Sequence, residues 1–203
     1  MAEVATDLRV VSLGEAAIAP LLDALAELRI RVFRDYPYLY DGDLGYEARY
    51  LARFAAAPDA LLAAAFAGEQ LVGAATALPL MHEHDDFVRP FEQHGIDPRT
   101  VFYLAESVLL PAYRGRGIGH AFFDLREAAG RRLGFATAAF CAVVRAPDDP
   151  RRPAGYRPLD AFWLQRGYRP AEGLTTSFAW QELGETEETA KPMQFWLRPL
   201  EPR

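Results

Sequence analysis

The sequence predicts an α/β fold, a mixed β-sheet with helices on both faces, and three observations lead to it. Strand-like and helix-like segments alternate through the second half of the chain. Two apolar runs in the middle are joined by only Gly68-Glu69, which asks for an antiparallel hairpin. The 203 residues show no internal repeat, low-complexity tract or dividing linker, so residues 1–203 are expected to form one domain.

Leu8 to Leu13 (LRVVSL) is short and β-branched, hence a first strand. Ile18, Leu21, Leu22, Leu25, Leu28, Val32 and Phe33 recur every three or four residues, giving a helix over about 15–35 that Pro37 ends. Tyr36 to Gly45 holds three tyrosines, a proline and two glycines, and is a loop. Tyr50, Leu51 and Phe54 set a second helix over Tyr46 to Ala57, stopped by Pro58. Ala60 to Ala67 and Gln70 to Leu80 are the hairpin strands. Met81 to Arg99 is a polar loop carrying a short helix near Asp85 to His94.

Thr100 to Leu110 is almost wholly apolar, as a central strand is, and Pro111 ends it. Ile118, Phe122, Leu125, Ala129 and Leu133 stripe a helix over Gly117 to Leu133. Phe135 to Val144 is another buried strand, followed by a proline-rich stretch from Arg145 to Pro158. A short helix, Leu159 to Arg166, leads to the last strands, Leu174 to Glu182 and Gln194 to Arg198. These flank an acidic loop with Glu185, Glu187 and Glu188.

Composition narrows the function. The chain is 51% apolar and 25% charged, ordinary for a globular protein. Its net charge of -6 opposes nucleic-acid binding, which needs clustered cations. No apolar run approaches the roughly 20 residues of a membrane span. The single cysteine, Cys141, excludes an internal disulfide and a multi-cysteine zinc site. The N-terminus lacks a basic start followed by an apolar stretch, so a cytoplasmic protein is expected. A homodimer is the symmetric default for a small enzyme.

One segment carries chemistry: Val108-Leu-Leu-Pro-Ala-Tyr-Arg-Gly-Arg-Gly-Ile-Gly-His120. A strand ends, a glycine-rich turn follows, and an apolar-striped helix starts at once. Gly115, Gly117 and Gly119 remove the side chains that would keep a ligand from the backbone. The unpaired N–H groups of the helix's first turn then converge, with the dipole adding roughly half a positive charge. Arg114 and Arg116 add full charges. This is a cradle for phosphate, best suited to a pyrophosphate. It lacks the Gly-Lys-Ser/Thr of a nucleotide-triphosphate loop. The spacing Gly-x-Gly-x-x-Gly fails at His120 or Phe122, and the segment lies too late for a first βαβ unit.

Arg114-Gly-Arg-Gly-Ile-Gly119 after Leu-Leu-Pro resembles the Arg/Gln-x-x-Gly-x-Gly/Ala acyl-CoA loop of the GNAT N-acetyltransferase superfamily. Phe162-Trp-Leu-Gln-Arg-Gly-Tyr168 looks like that family's Phe-Tyr-x-Lys-x-Gly-Phe segment, and the element order agrees over nearly the whole chain. The resemblance implies a sheet splayed between its fourth and fifth strands, with acetyl-CoA as co-substrate lying in the split. The pantetheine arm would pair with the backbone of Val108 and Leu110, along the edge that includes Leu109. The pyrophosphate would sit on Gly115, Arg116, Gly117, Ile118, Gly119 and His120. The implied reaction is direct attack of a small-molecule or peptide amine on the thioester; the alternative is an acyl-CoA-binding sensor without turnover.

At pH 7, deprotonating an alkyl amine of pKa about 10.4 costs roughly 4.6 kcal/mol, so a base at the split would help. Glu106 is the only carboxylate inside the central strand and is the candidate; the other reading is a structural ion pair. The family's glutamate stands here or one residue earlier, where this chain has Ala105, and a one-residue slip changes the face of a strand. Trp163 stands where the family's acidic tyrosine usually lies, and an indole is no practical acid. Tyr156 is the substitute acid unless none is needed, and Trp163 packs against the cofactor arm or the core. His82-Glu-His84-Asp-Asp86 could be a metal cluster, but reads better, with Asp41 and Asp43, as a rim that attracts a cationic acceptor. Tyr36, Tyr38 and Tyr40 shape the acceptor site or form a surface turn, and no metal is expected.

Overall fold

The computed structural model of the protein describes residues 7–201. Seven strands form one open sheet: β1 (Leu8–Gly14), β2 (Leu61–Ala67), β3 (Gln70–Pro79), β4 (Val101–Leu109), β5 (Thr137–Val143), β6 (Arg169–Trp180) and β7 (Thr189–Pro199). Their spatial order is β1-β2-β3-β4-β5-β7-β6. Only β4 and β5 run parallel; the other neighbours are antiparallel. The expected mixed α/β sheet is therefore present.

The helices are α1 (Glu15–Ile18), α2 (Leu22–Phe33), α3 (Leu44–Ala55), α4 (Asp85–Gln93), α5 (Ile118–Arg132) and α6 (Asp160–Gln165). The single helix expected over 15–35 is broken by a 3-10 turn at Ala19–Leu21. Pro20 is the reason, since it has no N–H to donate and its ring clashes with the preceding turn. Asp43 caps α3, accepting from the Tyr46 N–H at 2.7 Å, so that helix starts two residues earlier than its apolar spacing suggests. The last two strands run longer than expected: β6 starts at Arg169, where it pairs with Leu197 ahead of a break in register, and β7 is extended by pairing with β5 on one side and β6 on the other.

α5 packs beneath the sheet along its buried stripe of Ile118, Phe122 and Ala129. Gly130 makes that approach possible: a Cβ there would lie 2.8 Å from Leu200 Cδ1 and 3.1 Å from Phe102 Cδ1. Phe87 of α4 meets Tyr103, which alternates with Phe102 along β4, so α4 covers the opposite face. Glu127, buried on α5, accepts from Tyr168 Oη (3.1 Å), Arg166 Nη2 (3.1 Å) and Arg198 Nη1 (2.8 Å), tying α5 to α6 and to β6 and β7.

Two irregularities in β4 position the site. Its pairing with β5 spans only Val101–Tyr103 against Thr137–Ala139, so beyond Tyr103 the strands part. Its pairing with β3 shifts register: Thr76 faces Glu106 and Leu78 faces Tyr103, leaving Leu104 and Ala105 together opposite Ala77. That is a β-bulge. Strict alternation would send Ala105 and Glu106 to opposite faces, yet both line the same cavity.

Buried Arg126 of α5 holds the bulge from below. Its Nη1 donates to Glu106 O (3.0 Å) and Thr76 O (3.3 Å), its Nη2 to Ser107 Oγ (2.9 Å) and its Nε to Phe122 O (3.1 Å). Burial lowers its pKa to about 10, which still leaves it charged at neutral pH. Arg126→Met is expected to destabilise the fold by about 3 kcal/mol, because it orphans several buried acceptors at once. Urea unfolding measures this; an unchanged midpoint would assign the bulge to strand pairing alone.

Candidate active site

The glycine loop forms the first part of the site. After β4, Pro111–Tyr113 makes a 3-10 turn, Gly115 and Gly117 take φ of +76° and +79°, and α5 begins at Ile118. Left-handed φ favours glycine, and the space a Cβ would enter at either position is open. Among the described residues, the first backbone N–H after Arg114 to find a backbone acceptor is that of Ala121, on Gly117 O. The N–H groups of Gly115 to His120 are therefore free to meet an anion, as the sequence implies. Arg114 and Arg116 are exposed; Arg114 folds back, its Nε 3.3 Å from Leu109 O, and Arg116 lies over the Tyr113 ring. These orphaned donors and open glycines fit a CoA pyrophosphate.

The split supplies the second part. Leu110 N–H donates to Val72 O at 3.0 Å, so Leu110 and, two residues before it, Val108 turn their backbone groups toward β3. The groups facing the split are those of Ser107 and Leu109. This corrects the expected edge of Val108 and Leu110, because the phase of alternation beyond a bulge is set by pairing and leaves no mark in sequence.

The two motifs meet. His120 packs edge-on to Phe162 at 4.8 Å between ring centroids, Gly119 approaches Phe162, and Arg166 Nη1 lies 3.3 Å from His120 Nδ1. Trp163 packs on Phe140 (4.9 Å) and Trp196 (5.1 Å), an aromatic cluster on β5 and β7. Its core role is thereby visible.

On the face covered by α2, α3 and α4, an inner cavity of about 110 Å³ opens where β4 and β5 part. Ala105, Glu106 and Tyr103 of β4 line it with Cys141 of β5, Arg29 of α2 and aromatic side chains that include Tyr38 and Tyr40. Glu106 is ion-paired, with Arg29 Nη1 on its Oε2, and Arg29 Nε donates to Glu47 Oε2. The Glu106 Oε1 atom is buried and has no hydrogen-bond partner among the described residues. Burial pushes the Cys141 thiol far above its usual range, consistent with packing rather than carrying an acyl group.

An outer chamber of about 450 Å³, the size of a small-molecule site, shares Tyr46, Tyr50 and Phe178 with the inner cavity. His82, Glu83, His84 and Asp86 line it, so the acidic loop rims a pocket as expected. Among the described residues, no group of three or more histidine, cysteine or acidic side chains is placed to hold a metal. His84 instead caps α4, accepting from the Asp86 N–H. Asp41 and Asp43 do not line the chamber: one pairs with Arg34 and the other caps α3.

The tyrosine loop is fixed by the proline-rich stretch. Arg145 Nε donates to Pro37 O (2.7 Å) and its Nη2 to Glu182 Oε1 (2.5 Å), while Trp180 Nε1 donates to Tyr38 O (3.0 Å). Tyr156 lies against Tyr36 (4.7 Å, edge-on) with Arg152 over its ring, and it lines neither chamber. Burial, then Tyr36 and Asp160, raises its phenol pKa. The structure thus does not bring Tyr156 to Glu106, its ring being engaged at the loop surface.

Sequence reasoning missed Arg29, Glu47 and Arg126. A signal existed: each sits four residues from an apolar stripe residue (Leu25, Leu51 and Phe122) on its helix's buried face.

A sheet split between its central strands, with a loop of free backbone N–H groups at the mouth and a cavity where the strands part, is the architecture of a transferase that draws on a phosphate-bearing acyl carrier. The chain belongs to the acetyltransferase (GNAT) family, whose profile matches residues 18–154, and acetyl-CoA is its co-substrate. Among solved structures it is similar to a ribosomal-protein-alanine N-acetyltransferase of Brucella melitensis, with 18% identity and a TM-score of 0.61, over 95% of this chain and 99% of that one. A protein of Salmonella typhimurium solved with its cofactor acetyl-CoA is 12% identical with a TM-score of 0.56, covering 97% and 95%. An aminoglycoside 6'-N-acetyltransferase complexed with coenzyme A is 17% identical with a TM-score of 0.58, covering 96% and 98%. At such identities these likenesses concern the fold. No curated protein matches the chain.

Proposed function

We propose that residues 1–203 form a single-domain cytoplasmic N-acetyltransferase that moves an acetyl group from acetyl-CoA to a primary amine of a small molecule or peptide. The reading rests on one observation: Glu106 stands where the open edge of β4 meets the inner cavity, with a buried oxygen that has no hydrogen-bond partner among the described residues. Acetyl-CoA supplies an activated thioester carbonyl. The N–H groups of Gly115 to His120 and the charges of Arg114 and Arg116 hold its pyrophosphate, and the Ser107–Leu109 edge binds its arm as an added strand would. Glu106 takes the proton from the amine as the N–C bond forms and the C–S bond breaks. The thiol, of pKa about 8.5, departs as thiolate without needing an acid such as Tyr156.

Free-thiol release from acetyl-CoA with a panel of amines, beside calorimetric binding, tests the reading. Amine-dependent release is expected; binding without release from any amine would make the chain an acyl-CoA sensor.

A further inference from the structure

The buried cluster of Arg29, Glu47 and Glu106 does not balance. One guanidinium meets two carboxylates, and all three side chains are more than nine-tenths buried. With both carboxylates ionised, the cluster holds one negative charge in excess.

Among the described residues, nothing else around it supplies the missing positive charge: Arg145, which acts on Tyr38, is itself paired with Glu182. Burial pushes the phenols of Tyr38 and Tyr40, from the loop after α2, and of Tyr46 and Tyr50, from α3, above their usual value, so they stay neutral. Tyr103 on β4 and Cys141 on β5 are held protonated by the same cause. Glu83, in the outer chamber, adds negative potential at Tyr46 and Tyr50. Arg49 and Arg53 line that outer chamber but not the inner cavity. Arg126 reaches only the backbone oxygen of Glu106, from the opposite face.

An uncompensated buried charge is costly; each of the two carboxylates keeps one buried oxygen without a hydrogen-bond partner among the described residues, and of the two only Glu106 lines the cavity. Aromatic side chains line that cavity, and the Arg29 guanidinium lies over the rings of Phe33 and Tyr50, so this lining accommodates a cation. The group that completes the cluster is a protonated amine.

We propose that Glu47 is a positioning residue: by sharing Arg29 with Glu106 it keeps an uncompensated carboxylate at the cavity wall, which selects an alkylammonium ion as acceptor. The proposal rests on the acetyl-transfer reading above. Without Glu47's charge, Arg29 belongs to Glu106 alone. The cluster is then neutral, and Glu106 holds a proton less strongly.

Calorimetry with benzylamine, phenethylamine and butylamine, each against the alcohol of the same skeleton, provides the test at pH 7, on free and CoA-loaded protein. Wild type is expected to bind at least one amine about 10-fold or more tightly than its alcohol, the scale of a charged hydrogen bond. Glu47→Gln should bring that ratio close to one, whereas Glu47→Asp, which keeps the charge, should retain most of it. Where thiol release occurs, Glu47→Gln should also move the acid-side inflection of the pH profile down by about one unit, since losing a neighbouring anion favours ionised Glu106. A merely structural Glu47 would lower thermal stability and leave the inflection in place.

No preference for amine over alcohol in wild type, or a preference surviving in Glu47→Gln, overturns the proposal. Should the glutamine variant not fold, the wild-type ratio decides. Failure of acetyl-CoA to bind would overturn the transfer reading instead, and amine selectivity on the free protein is measured independently of it.

Discussion

Glu106→Gln is expected to lower the rate of acetyl transfer by roughly 100-fold or more, the usual scale for a positioned base, with acetyl-CoA affinity close to wild type. The substitution keeps the shape of the side chain, and the amide oxygen can still accept from Arg29. What it removes is the group that takes the amine's proton. In wild type, the rate should rise with pH through the apparent pKa of the base and then level off. In the variant that inflection should vanish, and the rate should climb with the free-amine fraction toward about 10.4. Matching profiles with only a small drop in rate would assign Glu106 to structure, with the proton leaving through water.

Gly117→Glu should abolish acetyl-CoA binding as read by calorimetry. Two effects add. The position has φ of +79°, where a Cβ costs about 1–2 kcal/mol. The larger effect is electrostatic: a carboxylate near 4 Å from a phosphate at an effective dielectric of about 20 opposes binding by about 4 kcal/mol, or roughly 1000-fold. Gly117→Ala separates the two, because it carries the strain without the charge and should weaken binding only modestly. Wild-type affinity in Gly117→Glu would mean that the cradle lies elsewhere.

The elements and the cradle were legible because both are local. Apolar spacing every three or four residues marked α2, α3 and α5, β-branched and apolar runs marked β1 to β5, and Gly68-Glu69 fixed the hairpin. The glycines at 115 and 117 announced a backbone that only glycine adopts easily, within the same dozen residues as the strand and helix it joins. Where local spacing misled, a single residue acted against it: Pro20 cut the first helix and Asp43 started the second early. The edge strand β6 starts at Arg169, ahead of the expected Leu174, because Arg169 and Pro170 pair with Leu197 and Trp196 before a break in register that the sequence does not mark.

The sequence by itself determined which segments become helix or strand, the order of those elements and the glycine loop proposed to hold phosphate, since neighbouring residues dictate each of these. Only the tertiary structure decided which way β4 faces. The bulge opposite Ala77 exists through pairing with β3, and it alone brings Ala105 and Glu106 to one cavity and turns Ser107 and Leu109 toward the split. It also decided the partners of Glu106, for Arg29, Glu47 and Glu106 come from two helices and a strand far apart in the chain. A charge on an apolar stripe says that it will be buried; what it meets there depends on helix packing and strand register, which long-range contacts set.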